Sequence, residues 1–365
     1  MNDGFNKWWL VPFGILAAST LVALGIVVFK PTFINNSFAE VAQRAVSKLS
    51  GECTDYACYQ ARYQDLVRDS GVRAAFGDLK DEYAENEFVK SNCHQLVHVI
   101  GRAAAERYGD ISSTFSRGEH FCWSGYYHGA MEAVVAKTGA NNIQGKINTI
   151  CADLAKKQRH SFYHYNCVHG LGHGIMGILE NELFESLHTC DTLVDAWERT
   201  ACYSGVFMEN IMAQNNSSHP AKYLKADQPL YPCTQVRTRY AKECYKMQTS
   251  YALQTQGNDF TEVFDLCAEV EDFQATCYQS LGRDATGQSN FDVAETKATC
   301  MLGKNYGARS NCVVGAAKTF VSNYHGNTQA KVLCESFDAD LRAACLQAVK
   351  EYQKVTKLTF EPKPG

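Results

Sequence analysis

Residues 151–174 read CADLAKKQRHSFYHYNCVHGLGHG, and they hold the two features that decide the fold. The first feature is a pair of cysteines, Cys151 and Cys167, with 15 residues between them. The second is a run of histidines and glycines that directly follows the second cysteine. Because both features recur along the chain, this stretch is one unit of a repeat.

Cysteine pairs with 9 to 15 intervening residues continue to the end of the chain. The predicted disulfides are Cys151–Cys167, Cys190–Cys202, Cys233–Cys244, Cys267–Cys277, Cys300–Cys312 and Cys334–Cys345. From Cys122 onward, the second cysteine recurs at steps of 45, 35, 42, 33, 35 and 33 residues. Steps of this size are typical of helix–turn–helix repeats that stack on their neighbours.

Four cysteines precede the regular pairs. Cys53 and Cys58 are close enough in sequence for a local bridge, which leaves Cys93 to join Cys122. Four cysteines allow three pairings, and spacing alone does not choose among them. In the regular units, closing a loop of this length is worth about 3 kcal/mol in the chain-entropy model.

The spacing of apolar residues predicts helices over nearly all of residues 40–355. No proline lies between Pro31 and Pro220, and apolar residues recur three and four places apart, as in Val97, Ile100 and Ala104. Residues 217–232, with three prolines, are predicted to form a longer irregular link. The fold class is therefore all-α, a solenoid-like stack of disulfide-linked helical hairpins.

The N-terminal region predicts a membrane anchor. Residues 8–29 form a run of 22 residues without a charge, and a bilayer core needs about 20 such residues in a helix. The alternative is a signal peptide cleaved near Ser37-Phe38-Ala39. Sixteen cysteines favour an oxidising compartment, so residues 31–365 are expected in the periplasm or outside the cell.

Three segments are predicted from these patterns. Residues 1–30 hold the transmembrane helix, residues 31–219 the histidine-rich repeats, and residues 220–365 repeats that keep the cysteines and lose the histidines. A net charge of −4 with 20% charged residues shows no basic excess, which excludes a nucleic-acid-binding protein of the usual kind.

Ten of the eleven histidines lie between residues 94 and 219, and several are four places apart on one helix face. Neutral imidazole is the commonest metal ligand in proteins, and nitrogen-rich sets suit zinc, copper or iron. The predicted ligands are His94, His98, His128, Glu132, His169 and His173. Six ligands exceed the four of tetrahedral zinc, so they predict one six-coordinate ion or two neighbouring ions.

Four further residues are candidates for supporting roles around the metal. They are Tyr126, Tyr127, Met208 and Glu209. Met208 and Met212 stand at the same offsets from Cys202 as His128 and Glu132 from Cys122. Methionines at helical spacing more often fill a core than bind copper, and the histidines too could serve packing alone.

Two functions follow from these patterns. The first is an anchored, extracytoplasmic metal protein that acts as an oxidoreductase or hydrolase at an open coordination position. The second is a structural adaptor without metal, whose repeats present a helical surface to a protein or envelope partner.

Overall fold

A computed structural model describes residues 53–215, 221–324 and 326–357. These residues form helices and turns, without a strand, and thus confirm the all-helical prediction. The described residues from Thr54 onward make one compact unit. The predicted anchor at residues 8–29 lies outside the described residues.

In chain order the helices are α1 (Tyr56–Ser70), α2 (Val72–Glu85), α3 (Glu87–Tyr108), α4 (Ile111–Phe115), α5 (Gly125–Thr138), α6 (Ala140–Ile150), α7 (Ala152–Lys157), α8 (Phe162–Ile178), α9 (Leu183–Asp191), α10 (Ala196–Met212), α11 (Thr238–Thr255), α12 (Phe260–Ala268), α13 (Gln274–Gln288), α14 (Val293–Cys300), α15 (Tyr306–Tyr324), α16 (Thr328–Glu335) and α17 (Ala339–Lys357). A 3₁₀ turn, Ala213–Asn215, follows α10. None of these helices is long and apolar enough to cross a membrane.

The long helices α3, α5, α8, α10, α11, α13, α15 and α17 pack against one another in chain order, and shorter helices connect them. The stack passes from α10 to α11 without a break, so the proposed functional division near residue 219 stays a prediction. Trp123 stacks on Phe291 with ring centroids 5.9 Å apart, which brings the loop before α5 to the loop after α13. The stack of helices therefore curves back on itself.

Six disulfides join a short helix or loop to the following long helix, and the Cys93–Cys122 disulfide joins the long helix α3 to the loop before α5. The structure contains the disulfides Cys93–Cys122, Cys151–Cys167, Cys190–Cys202, Cys233–Cys244, Cys267–Cys277, Cys300–Cys312 and Cys334–Cys345, with Cα atoms 5.4 to 5.9 Å apart. Cys53 and Cys58 are also disulfide-bonded. The second cysteine mostly lies within the first two turns of its long helix, where Cys202 is an example; Cys122 instead precedes α5.

Glycines let alternate pairs of long helices approach until their backbones touch. A Cβ atom on Gly282 of α13 would lie 1.9 Å from the carbonyl oxygen of Cys312 on α15. Likewise, a Cβ on Gly129 of α5 would lie 2.1 Å from the carbonyl oxygen of His98 on α3. No side chain larger than hydrogen fits at these crossings, and side chains beside them are therefore brought close across the helix pair.

Gly282→Ala should lower the free energy of unfolding by about 3 kcal/mol, since overpacking at a rigid backbone contact costs about 1–3 kcal/mol or more. Gly145→Ala is the matched control, because Gly145 lies in α6 with open space around it. Alanine there should add about 0.5–1 kcal/mol by its higher helix propensity. Guanidinium unfolding with the disulfides intact measures both; equal stability of the two variants would contradict the tight crossing.

Candidate metal centre

The six predicted ligands come together where α3, α5 and α8 stack side by side. Helix α3 begins at the cap Asn86, whose side chain accepts hydrogen bonds from the amides of Phe88 and Val89. Helix α8 begins at Ser161, whose hydroxyl accepts one from the amide of His164. With these starts, the two histidines four places apart in each helix face α5 and each other.

The first pair of imidazoles, His94 and His98, lies on α3. In each ring, Nδ1 faces an oxygen that accepts its proton. His94 donates from Nδ1 to the carbonyl oxygen of Cys122 at 2.9 Å. His98 donates from Nδ1 to Oε1 of Glu132 at 2.5 Å. The two Nε2 atoms are 3.1 Å apart, and a neutral ring that donates from Nδ1 carries its lone pair on Nε2.

Where both rings are neutral, two lone pairs meet at this distance and need a cation, a proton or a metal ion, between them. A proton is disfavoured on His94, because burial and then the neighbouring His98 lower the pKa of His94 well below its ordinary value. A metal ion fits, because two nitrogens bound at 2.0–2.1 Å to one ion lie about 2.9–3.4 Å apart at ordinary coordination angles. The carboxylate behind His98 is the usual outer partner that orients a ligand imidazole.

The second pair, on α8, repeats this arrangement. Nε2 of His173 lies 3.2 Å from Nε2 of His169, and Nδ1 of His173 lies 2.7 Å from Oε2 of Glu209 on α10. Nδ1 of His169 lies 3.4 Å from the hydroxyl of Tyr165. Each pair thus combines two histidines four places apart with a glutamate from the next long helix.

His128 of α5 lies between the two pairs. In three overlapping sets, one ligand atom of each residue lies within 4.8 Å of the others. The sets are His94, His98 and His128; His128, His169 and His173; and Glu132, His173 and Glu209. All six predicted ligands therefore belong to groups that could hold a metal ion, and Glu209 joins them.

Burial favours the neutral form of His94, His128, His169 and His173, and the neutral form is the one that binds metals. Desolvation and then the neighbouring histidines lower the pKa of His128 and of His169 well below the ordinary value, and they lower the pKa of His173 to about 3. These nitrogens consequently offer lone pairs at neutral pH without having to lose a proton first.

The two carboxyl groups differ. Burial favours the neutral form of Glu132, but His98 and the Arg102 guanidinium, 2.6 Å from its Oε2, hold the pKa of Glu132 well below its usual range. Burial and then the charge of Glu132 raise the pKa of Glu209 to about 7. The negative charge that Glu209 would carry is thus not balanced by a neighbouring positive charge. A divalent cation bound there would balance it.

A cavity of about 1230 Å³ leads from the surface to one side of the cluster. His98, Glu132, His173 and Glu209 lie on its wall. Its other sides combine apolar residues such as Phe88 and Ile178 with charged residues such as Arg102 and Lys137. A small molecule in the cavity would reach the carboxylate side of the imidazole pairs.

The supporting residues predicted from sequence divide into two groups. Glu209 lies in the cluster, and Met212, although not Met208, is among the residues that line the cavity. The hydroxyl of Tyr126 donates to the carbonyl oxygen of Thr114, and the ring of Tyr127 packs on Phe115. Both tyrosines belong to α5 and are fully buried, so their contacts hold that helix in the core.

Two residues of the site, Arg102 and Tyr165, were not predicted from the sequence. Arg102 stands four places after His98, and Tyr165 stands four places before His169, so each continues the histidine stripe of its helix. That spacing was the available signal. His164 stands apart from the cluster, since its Nε2 pairs with Glu198 at 3.0 Å.

Five imidazoles, of which all but His94 are fully buried, and two carboxyl groups thus meet on four consecutive long helices, next to an open cavity. This arrangement could hold metal ions, and nothing in it depends on residues outside the described parts of the chain. Comparison of the chain with protein families, with curated proteins and with solved structures found no match.

Proposed function

We propose that this protein binds two transition-metal ions at the histidine cluster and uses them in a metal-dependent reaction at the adjoining cavity. The observation that carries the proposal is the contact between Nε2 of His94 and Nε2 of His98, 3.1 Å apart, while Nδ1 of each ring faces an oxygen acceptor. In a neutral pair without metal, an N–H between the two Nε2 atoms would leave one of these Nδ1 atoms without a proton to donate.

The number of ions follows from the duplication. His94 and His98 form one nitrogen pair, and His169 and His173 form another, each with its own glutamate. Each pair already has the nitrogen spacing of two ligands on one ion, which supports one ion per pair. A single six-coordinate ion shared by both pairs is the alternative, and the number of bound equivalents distinguishes the two. Zinc, copper and iron are the proposed ions, because imidazole nitrogen suits all three.

The reaction class depends on which ion is bound. A zinc pair would act as a Lewis acid and would activate water, as in hydrolases, whereas copper or iron would support electron transfer to a substrate. In either case the cavity wall at His98, His173 and Glu209 is where a substrate would approach. Arg102 and Glu132 hold the imidazole of His98 in position there.

We further propose that the protein works outside the cytoplasm and is tethered by residues 8–29. The disulfides support the location, because they persist in oxidising compartments. The uncharged N-terminal run supports the tether.

Metal analysis of the purified full chain tests the proposal. After separate incubation with zinc, copper and iron and removal of loose metal, elemental analysis should find about two equivalents of the preferred ion. Less than about a tenth of an equivalent of every ion would overturn the metal site. The adaptor without metal would then be the better description, with the histidines serving packing.

A further inference from the structure

The imidazole of His128 occupies the middle of the cluster. Its ring centroid lies 5.4 and 5.5 Å from those of His94 and His98, and 4.6 and 4.8 Å from those of His169 and His173. It is therefore at similar distance from both nitrogen pairs, and it belongs to both of the imidazole sets.

The helix order explains this position. Helix α5 packs on α3 on one side and on α8 on the other. Gly129 touches the backbone of His98, and a Cβ on Gly170 of α8 would lie 3.2 Å from Cα of His128. A side chain of the central helix can thus reach toward both neighbours, whereas each outer pair faces one of them.

His128 also differs from the other imidazoles in its hydrogen bonds. Nδ1 of His94, His98 and His173 each has a carbonyl or carboxyl partner. Nδ1 of His128 is buried and has no hydrogen-bond partner among the described residues. A buried ring nitrogen without a partner is costly, and in this surrounding of lone pairs the missing partner is best supplied by a metal ion.

We propose that His128 bridges the two metal ions, one bound to each of its ring nitrogens, with its imidazole in the deprotonated form. The ring gives up one proton to solvent, and each ion gains one nitrogen in addition to its own histidine pair. Bonds of about 2.0–2.1 Å on both nitrogens would hold the ions about 6 Å apart. This inference rests on the proposed metal binding and specifies how the two ions are coupled.

Magnetic coupling between two copper ions is the direct readout. A bridging imidazolate transmits antiferromagnetic exchange, so two Cu(II) ions joined by it lose their electron paramagnetic resonance signal at low temperature. The full chain loaded with Cu(II) alone should bind two ions by elemental analysis, yet show a spin count far below two. In His128→Gln the bound ions should be magnetically independent, and the spin count should match the bound copper.

A matched control is His188→Gln, which replaces an exposed histidine on α9 outside the cluster and should leave the coupled state unchanged. Two bound ions with a full spin count in the wild-type protein would overturn the bridge while metal binding stands. One bound ion would also overturn it. No bound metal would instead overturn the proposed function itself. Because the wild-type spin count decides the question, a His128→Gln protein that fails to fold leaves the test valid.

Discussion

The double variant His98→Gln/His173→Gln should bind both metal ions at least about 100-fold more weakly than the wild-type protein, because a four-ligand zinc site is worth about 10–16 kcal/mol and each ligand carries about a quarter of that. Each substitution removes one Nε2 from a nitrogen pair. Glutamine can still hydrogen-bond to Glu132 or Glu209, so the shape of the cluster should survive.

Competition titration against a chelator of known affinity measures the loss, and far-ultraviolet circular dichroism checks the fold in the same samples. His160→Gln/His188→Gln is the matched control, because it removes two histidines that lie outside the three metal sets. Equal affinity in the two double variants would contradict the assignment of His98 and His173 as ligands. Unchanged metal content together with a large loss of stability would favour packing histidines.

The fold was largely predictable because its signals are local. Cysteine spacing, the lack of proline between Pro31 and Pro220 and the helical spacing of apolar residues each report on a few neighbouring positions. The histidine set was predictable for the same reason, since a spacing of four places two side chains on one helix face. Repetition after successive cysteines then indicated that the faces would meet.

The role of Glu209 was harder to predict, because equal distance from a cysteine does not mean equal rotation about the helix axis. Cys122 precedes α5 and lies in a stretch of three residues with left-handed backbone, Cys122 to Ser124. Cys202 instead lies inside α10. Counting residues from each cysteine therefore matched Met208 to His128 and Met212 to Glu132. In the structure it is Glu209 that lies against His173.

The cavity and the proton positions depend on contacts between distant residues, which no local pattern contains. Glu132 reaches His98 because Gly129 lets α5 touch α3. The carbonyl oxygen of Cys122, 28 residues from His94, accepts the Nδ1 proton of His94. The lone pair of that neutral ring is then on Nε2. Such contacts form only when the helices pack together, and they give the ligand residues the geometry of a metal site.

Removing the Cys93–Cys122 disulfide should weaken both the fold and the first metal ion. The bridge closes a loop with a sequence separation of 29 residues. In the chain-entropy model its loss costs about 3–4 kcal/mol. His94 follows Cys93 directly and donates from Nδ1 to the carbonyl of Cys122, so both ends of the bridge hold this ligand in place. Loss of such an outer support typically lowers metal affinity about 10–100-fold.

The variant Cys93→Ala/Cys122→Ala separates these two effects when it is compared with Cys334→Ala/Cys345→Ala. The second bridge joins α16 to α17, with a sequence separation of 11, and the main packing partners of α17 are α15 and α16. Its loss should cost about 3 kcal/mol by the same entropy argument. Both variants should therefore unfold more easily, as measured by guanidinium titration of the metal-free proteins.

Metal affinity should distinguish them. At a temperature where both variants stay folded, the first should bind one of the two ions about 10–100-fold more weakly, and the second should keep wild-type affinity for both. An equal loss of affinity would mean that the disulfides act on the metal through global stability alone. Wild-type affinity in the first variant would show that His94 is held without the bridge, and the cation between His94 and His98 would then have to be positioned by Glu132 and His128.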